Sequence, residues 1–240
     1  MQLENIKLIY LDPPFGSKRE DKFYGATENF EEYLDYMRVR LEKLKTFMHP
    51  DGANIIVHID QKASHYIKVM MDGVFGRENF LNHIVWCYTG PSVVKAYLPR
   101  KHDDLLWYGV GDYTFNQETI SYQAKLKVGG NTSWNPDKKG TEEEYLAKGK
   151  KLEDWWVDIP SLCRNEKEKR ETKYPTQKPL KLMSRIIKMF SNEGDTVYDP
   201  FMGSGSFLHA AIELNRQALG SDISDKAITL ATERLSKIAK

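Results

Sequence analysis

Thr196-Val197-Tyr198-Asp199-Pro200-Phe201-Met202-Gly203-Ser204-Gly205-Ser206 reads as a short strand, a glycine-containing turn and the mouth of a helix. Thr, Val and Tyr favour an extended backbone, while Pro200 and the Gly203–Gly205 pair stop it. Apolar spacing then predicts a helix over Phe207 to Leu214, a strand Gln217 to Ser221 ending at Asp222, and an amphipathic helix from about Lys226 to Ile238. Strand, Gly-x-Gly turn, helix and an acid closing the next strand make a βαβ unit suited to a nucleoside. The glycines let a ligand approach the backbone closely, and the acid accepts from ribose hydroxyls. Leu208 stands where the dinucleotide fingerprint needs its third glycine, and no phosphate-binding P-loop is present. The pattern points to a nucleoside without a pyrophosphate, and S-adenosylmethionine fits. The candidate cofactor residues here are Asp199, Pro200, Phe201, Gly203, Gly205, Ser206, Asp222 and Ile223.

Near the N-terminus, the apolar run Ile6 to Leu11 reads as a buried strand and is followed by Asp12-Pro13-Pro14-Phe15. These four residues sit at the strand's C-terminal end, where open α/β sheets bind ligands. Asp12 offers a carboxylate, the two prolines hold rigid backbone carbonyls as further acceptors, and Phe15 adds a flat apolar face. Acceptors beside an aromatic plate suit a planar group with an exocyclic amine, such as a nucleobase. The same residues also fit a turn that only ends a strand.

Between these ends the chain alternates. A helix is expected from Phe30 through Phe47, a strand over Ala53 to Asp60, a helix over Ser64 to Val74, and strands at Ile84 to Tyr88 and Asp104 to Val110. His58 and Asp60 lie at the end of the second strand, where His58 also fits as a hydrogen-bonded core histidine. From Gly90 regular spacing breaks down. The stretch interleaves Lys95, Arg100, Lys101, His102 and later lysines with Tyr97, Trp134, Trp155 and Trp156. Cations with aromatic plates suit phosphates and bases, although the mixed acids equally describe a solvated insertion. Order returns at Tyr174, with a helix from about Leu180 to Ser191.

With 240 residues, 40% hydrophobic and 29% charged, the chain can bury a full core. A net charge of +1 decides nothing about nucleic acid, because a local basic face can hide in a neutral total. Cys87 and Cys163 show no zinc spacing and fit a reducing compartment. No stretch is long and apolar enough to span a membrane, and no secretory signal opens the chain. A cytoplasmic protein without a metal is expected.

Asp12-Pro13-Pro14-Phe15 early, Thr176-Gln177-Lys178-Pro179 late, then Asp199-Pro200-Phe201-x-Gly203-x-Gly205 resembles the β-class amino-methyltransferases of DNA. It is similar to type III modification subunits and site-specific adenine-N6 methyltransferases. Tyr33 to Asp60, Pro99 to Asp103 and Glu153 to Trp156 also look like the family, so the resemblance covers nearly the whole chain. It implies an α/β, Rossmann-like S-adenosylmethionine-dependent methyltransferase fold with a mostly parallel sheet. Residues 1–110 and 174–240 would form the catalytic domain, and 111–173 a target-recognition insertion. Asp12 and the Pro13 carbonyl would hold the amino group with Pro14 and Phe15 completing the catalytic motif. Asp199, Gly203 and Gly205 would approach the methionine part, Asp222 the ribose, and Thr176 and Lys178 the methionine end.

The family usually has Tyr where this chain has Phe15, which keeps the ring and loses the hydroxyl. Asp at the head of the motif resembles the adenine-modifying members more than the cytosine-N4 ones. Double-stranded DNA is the expected partner, met by Lys18, Arg19, Lys95, Arg100, Lys101 and His102, with a second copy or a restriction subunit as further partners. Family members usually carry one more strand and a Gly-Asp turn ahead of the catalytic strand. Only Met1 to Asn5 precede it here, so a sheet short of one edge strand is expected. The competing readings are a cytosine-N4 methyltransferase, a non-catalytic DNA-binding remnant, and a nucleotide-dependent oxidoreductase, the last opposed by Leu208.

Overall fold

The computed structural model describes residues 3–14, 30–90, 94–120, 149–162, 168, 174 and 176–238. In chain order these form β1 (Leu8–Leu11), α1 (Phe30–Lys45), β2 (Gly52–Asp60), α2 (Ser64–Phe75), β3 (Phe80–Cys87), β4 (His102–Gly111), β5 (Thr119–Ile120), β6 (Lys150–Lys151), β7 (Trp155–Trp156), α3 (Leu180–Phe190), β8 (Thr196–Asp199), α4 (Ser206–Glu213), β9 (Gln217–Gly220) and α5 (Asp225–Leu235). Seven strands make one sheet in the order β7-β3-β4-β2-β1-β8-β9, and β5 pairs with β6 in a separate ribbon. The pairs β1–β2, β1–β8, β8–β9 and β3–β7 are parallel. This is the mostly parallel α/β architecture that the sequence predicts.

Side chains alternate across a strand, and that alternation sorts the core into two layers. Leu8 and Tyr10 of β1 pack with Ile56, Leu105 and Trp107 against α3 and α4. Ile9 and Leu11 pack with Ile55, Val57 and Leu106 against α1 and α2. In α1, Tyr33, Met37, Leu41 and Leu44 recur at helical spacing and are buried, with Glu31 and Glu32 in the first turn and Lys43 and Lys45 in the last, as the helix dipole favours. In α3, Leu182, Met183, Ile186, Ile187, Met189 and Phe190 are buried. At about 1.5–3 kcal/mol per buried side chain, packing rather than intrinsic propensity holds that helix.

The expected strand–helix alternation fails at β4. It lies antiparallel to both β2 and β3, and the described residues of the 88–101 connection carry no helix. A parallel return would need a crossover, usually a helix. β4 is buried along most of its length, so it reads like a parallel strand and its direction cannot be told from its residues. Part of the expected insertion joins the main body: Trp155–Trp156 pair with β3, and Trp156 is buried in the central core. Residues 121–148 of the insertion, and Cys163, lie outside the described residues. Among the described residues β9 forms the sheet edge beyond β8, and no helix is long and apolar enough to cross a membrane.

Candidate active site

Strand order reverses at β1, with β2 on one side and β8, which comes much later in the chain, on the other. Such a switch point opens a crevice beyond the C-terminal ends of the strands. Asp12 follows β1 and Asp199 ends β8, so two carboxylates from opposite ends of the chain meet there. They share a cavity with Tyr10, Thr176, Lys178, Phe201, Gly203 and Ser206, and also with Tyr174, Gln177, Ser204 and Phe207. Its volume is about 30 Å³, room for only one or two waters.

Lys178 Nζ lies 2.6 Å from each oxygen of Asp12, with the two side chains 12% and 16% exposed. Asp199 is fully enclosed. Burial pushes its carboxyl well above the ordinary range, against the pull of the Phe201 N–H, which donates to Oδ1 at 2.9 Å. The charges of Asp12 and Asp222 push it further the same way, and Lys178 opposes them. Burial, then Asp12, Asp199 and Asp103, raise the Tyr10 phenol well above its usual value. The phenol keeps its proton.

A chain of polar groups runs from this cavity across β1, β2 and β4 to Tyr88, just past the end of β3. Tyr10 Oη lies 2.8 Å from His58 Nδ1, His58 Nε2 lies 3.1 Å from Asp103 Oδ2, and Tyr88 Oη donates to Asp103 Oδ1 at 2.9 Å. Burial pushes the Asp103 carboxyl up, but the hydrogen bond and charge of His58, then Lys178 and Tyr88, hold it below the ordinary range. An ionised Asp103 only accepts, so His58 Nε2 carries a proton and donates to it. His58 is thus a hydrogen-bonded core histidine that also orients a cavity residue.

The glycine turn is held from both sides. Gly203 N–H donates to Asp222 Oδ2 and Ser224 N–H to Asp222 Oδ1, each at 2.9 Å. Arg234 of α5 donates to Ser206 Oγ at 3.1 Å and to Glu168 Oε1 at 3.1 Å, and Gln177 Nε2 donates to the same Glu168 oxygen at 2.8 Å. Gly205 has φ +73°, and an added Cβ would lie 3.0 Å from Ala231 Cβ. Backbone conformation and the packing of α5 both require glycine here. Gly205 lines neither pocket.

Pro200, Phe201, Asp222 and Ile223 line a second groove of about 280 Å³ with Tyr36, Arg40, Phe47 and Tyr198. Phe201 borders both spaces. Arg40 lies 3.2 Å over the Tyr36 ring. Pro13 and Pro14 are buried directly after Asp12, whereas Phe15, Lys18 and Arg19 lie outside the described residues. Lys95, Arg100 and Lys101 belong to the β3–β4 connection and His102 opens β4, at the end of the sheet where β1 and β2 also finish. Among the described residues no cluster of His, Cys, Asp and Glu could hold a metal. Tyr10, Asp103, Tyr36 and Arg40 were not expected from sequence. Tyr10 was within reach, because it stands two residues before Asp12 and so shares its face of the strand.

The chain resembles known DNA methylases along nearly its whole length. The Type II methyltransferase M.HpaI of Haemophilus parainfluenzae is 32% identical over 241 residues, covering 98% of this chain and 69% of that protein. The Type II methyltransferase M.EcaI of Enterobacter cloacae is 28% identical over 91% of this chain and 62% of its own length. The chain thus spans about two thirds of the length of these relatives. In fold, the solved M1.HpyAVI–SAM complex superposes with a TM-score of 0.63 at 20% identity, covering 97% of this chain and 89% of that one. The family profile described as DNA methylase, N6_N4_Mtase, matches residues 6–233, and the chain belongs to that family.

Proposed function

We propose that this chain transfers a methyl group from S-adenosylmethionine to the exocyclic N6 amino group of a flipped adenine in double-stranded DNA. The observation that carries this reading is the meeting of Asp12 and Asp199 at the ends of adjacent parallel strands. The donor set fits S-adenosylmethionine. Asp199 offers a buried carboxyl to an ammonium, Lys178 a cation to a carboxylate, and Asp222 acceptors to ribose hydroxyls. Phe201, Ile223 and Tyr36 border the groove beside Asp222 with apolar and aromatic surface for a purine. When bound, S-adenosylmethionine supplies the methyl group on a positively charged sulfur.

Adenine N6 is a poor nucleophile because its lone pair is conjugated with the ring. Hydrogen bonds from its two N–H groups to Asp12 and the Pro13 carbonyl favour a pyramidal nitrogen and aim the lone pair along one line. Positioning and this electrostatic help together contribute on the order of several kcal/mol. Asp12 takes the proton that the nitrogen sheds. Flipping the base costs roughly a few kcal/mol, offset by contacts to DNA from the basic β3–β4 connection. Asp12 at the head of the motif favours adenine, and cytosine N4 is the alternative within the same family. Calorimetry with Asp222→Ala should show S-adenosylmethionine affinity falling by about 1–3 kcal/mol. Methylation-sensitive sequencing of host DNA carrying the expressed chain should reveal new modified adenines. Unchanged affinity together with unmodified DNA would sink the reading.

A further inference from the structure

Lys178 holds the group that the reaction needs free. Its ammonium lies 2.6 Å from both oxygens of Asp12, on the acceptor sites that an incoming amino group must use. The pair also lines a cavity of only about 30 Å³. Either Lys178 moves or the site stays shut. The pair is largely enclosed, and separating it without a new partner would leave two poorly solvated charges, which is strongly unfavourable.

Lys178 therefore needs another anion. Asp103 and Asp199 are within its electrostatic reach. Both Asp103 oxygens already accept from His58 and Tyr88, and Asp199 is pushed towards its neutral form. Among the described residues that leaves a ligand carboxylate, and Lys178 is the one cationic side chain of these residues that lines the cavity. Resting on the cofactor reading above, we propose that Lys178 is a partner-switching positioning residue. In the empty site it caps Asp12. The carboxylate of the bound cofactor draws it away, and Asp12 becomes an acceptor for the target amine only once the methyl donor is in place. The cofactor carboxylate takes the place of Asp12 on Lys178 and leaves Asp12 open for the base, so the order of binding, cofactor before base, is built into the site.

The test uses S-adenosylhomocysteine and its decarboxylated analogue, neither of which can donate a methyl group, with calorimetry on the wild-type chain and on Asp12→Asn and Lys178→Met. Asp12→Asn removes the competitor for Lys178, so S-adenosylhomocysteine should bind severalfold tighter while the decarboxylated analogue is unchanged. Lys178→Met should weaken S-adenosylhomocysteine by roughly tenfold or more, again sparing the analogue. A merely structural Lys178 would affect both compounds alike, and that result overturns the proposal. So does an Asp12→Asn variant of normal melting temperature with unchanged or weaker S-adenosylhomocysteine binding. Should the variants fail to fold, a crystal structure of the wild-type chain with S-adenosylhomocysteine decides: Lys178 off Asp12 supports the switch, and Lys178 still on Asp12 refutes it. If neither compound binds the wild-type chain, the cofactor reading falls and the switch with it, an outcome distinct from binding without discrimination.

Discussion

Asp199 costs the fold stability at neutral pH. Burial holds its carboxyl well above the ordinary pKa, so the folded chain keeps a proton at pH values where the unfolded chain has lost it. The stability this group contributes is full below its unfolded pKa and is lost as pH rises through the folded one. Asp199→Asn should therefore melt above wild type at neutral pH, by about 0.5–2 kcal/mol, and converge with it in acid, while cofactor affinity falls. A lower melting temperature at neutral pH would contradict this. Asn54 is the structural counterpart: fully buried, it donates to Phe190 O at 3.0 Å and Thr114 O at 2.8 Å and accepts from Trp107 Nε1 at 2.8 Å. Asn54→Leu would strand all three partners, and urea titration should show a loss of at least about 2 kcal/mol. The two residues were not equally legible. Asp199 announces itself through the turn that follows it, whereas Asn54 sits silently in an apolar run because its partners are far away in sequence.

At the scale of elements, legibility followed locality. Helix α1 and strands β1 and β8 could be read because spacing, end charges and turn residues are written within each segment. The direction of β4 and the recruitment of Trp155–Trp156 to the sheet depend on distant strands, and no local pattern encodes them. The β3–β4 connection ends at the side of the sheet where β1 and β2 finish, and it exposes Lys95 and Arg100. If these meet phosphates, Arg100→Ala should weaken DNA binding evenly across sequences and lower the slope of log affinity against log salt by about 1. An unchanged slope would return this connection to the status of a solvated loop. Arg234 belongs to the same scale, since it fastens α5 to the glycine turn and to Glu168.

Over the whole molecule, the site joins the two ends of the chain: Asp12 comes from the first strand, and Lys178, Asp199 and Gly203 from the last third. A ligand bound there should stabilise the fold by mass action, about 2.7 kcal/mol at a hundredfold excess over Kd, which a melting titration with S-adenosylhomocysteine would read. The two motifs that meet at the cavity were legible because each is continuous in sequence. The Lys178–Asp12 pair and the Tyr10–His58–Asp103 chain were not, because each needs the sheet to bring its members together. The proposed role of Asp12 is to direct methyl transfer to a base in DNA. Its most direct test is mass spectrometry of nucleosides from DNA incubated with the chain and S-adenosylmethionine carrying a deuterated methyl group. The wild-type chain should yield labelled N6-methyldeoxyadenosine, and Asp12→Ala, folded and still binding S-adenosylhomocysteine, should yield none. Labelled product from Asp12→Ala within a few fold of wild type would contradict the account.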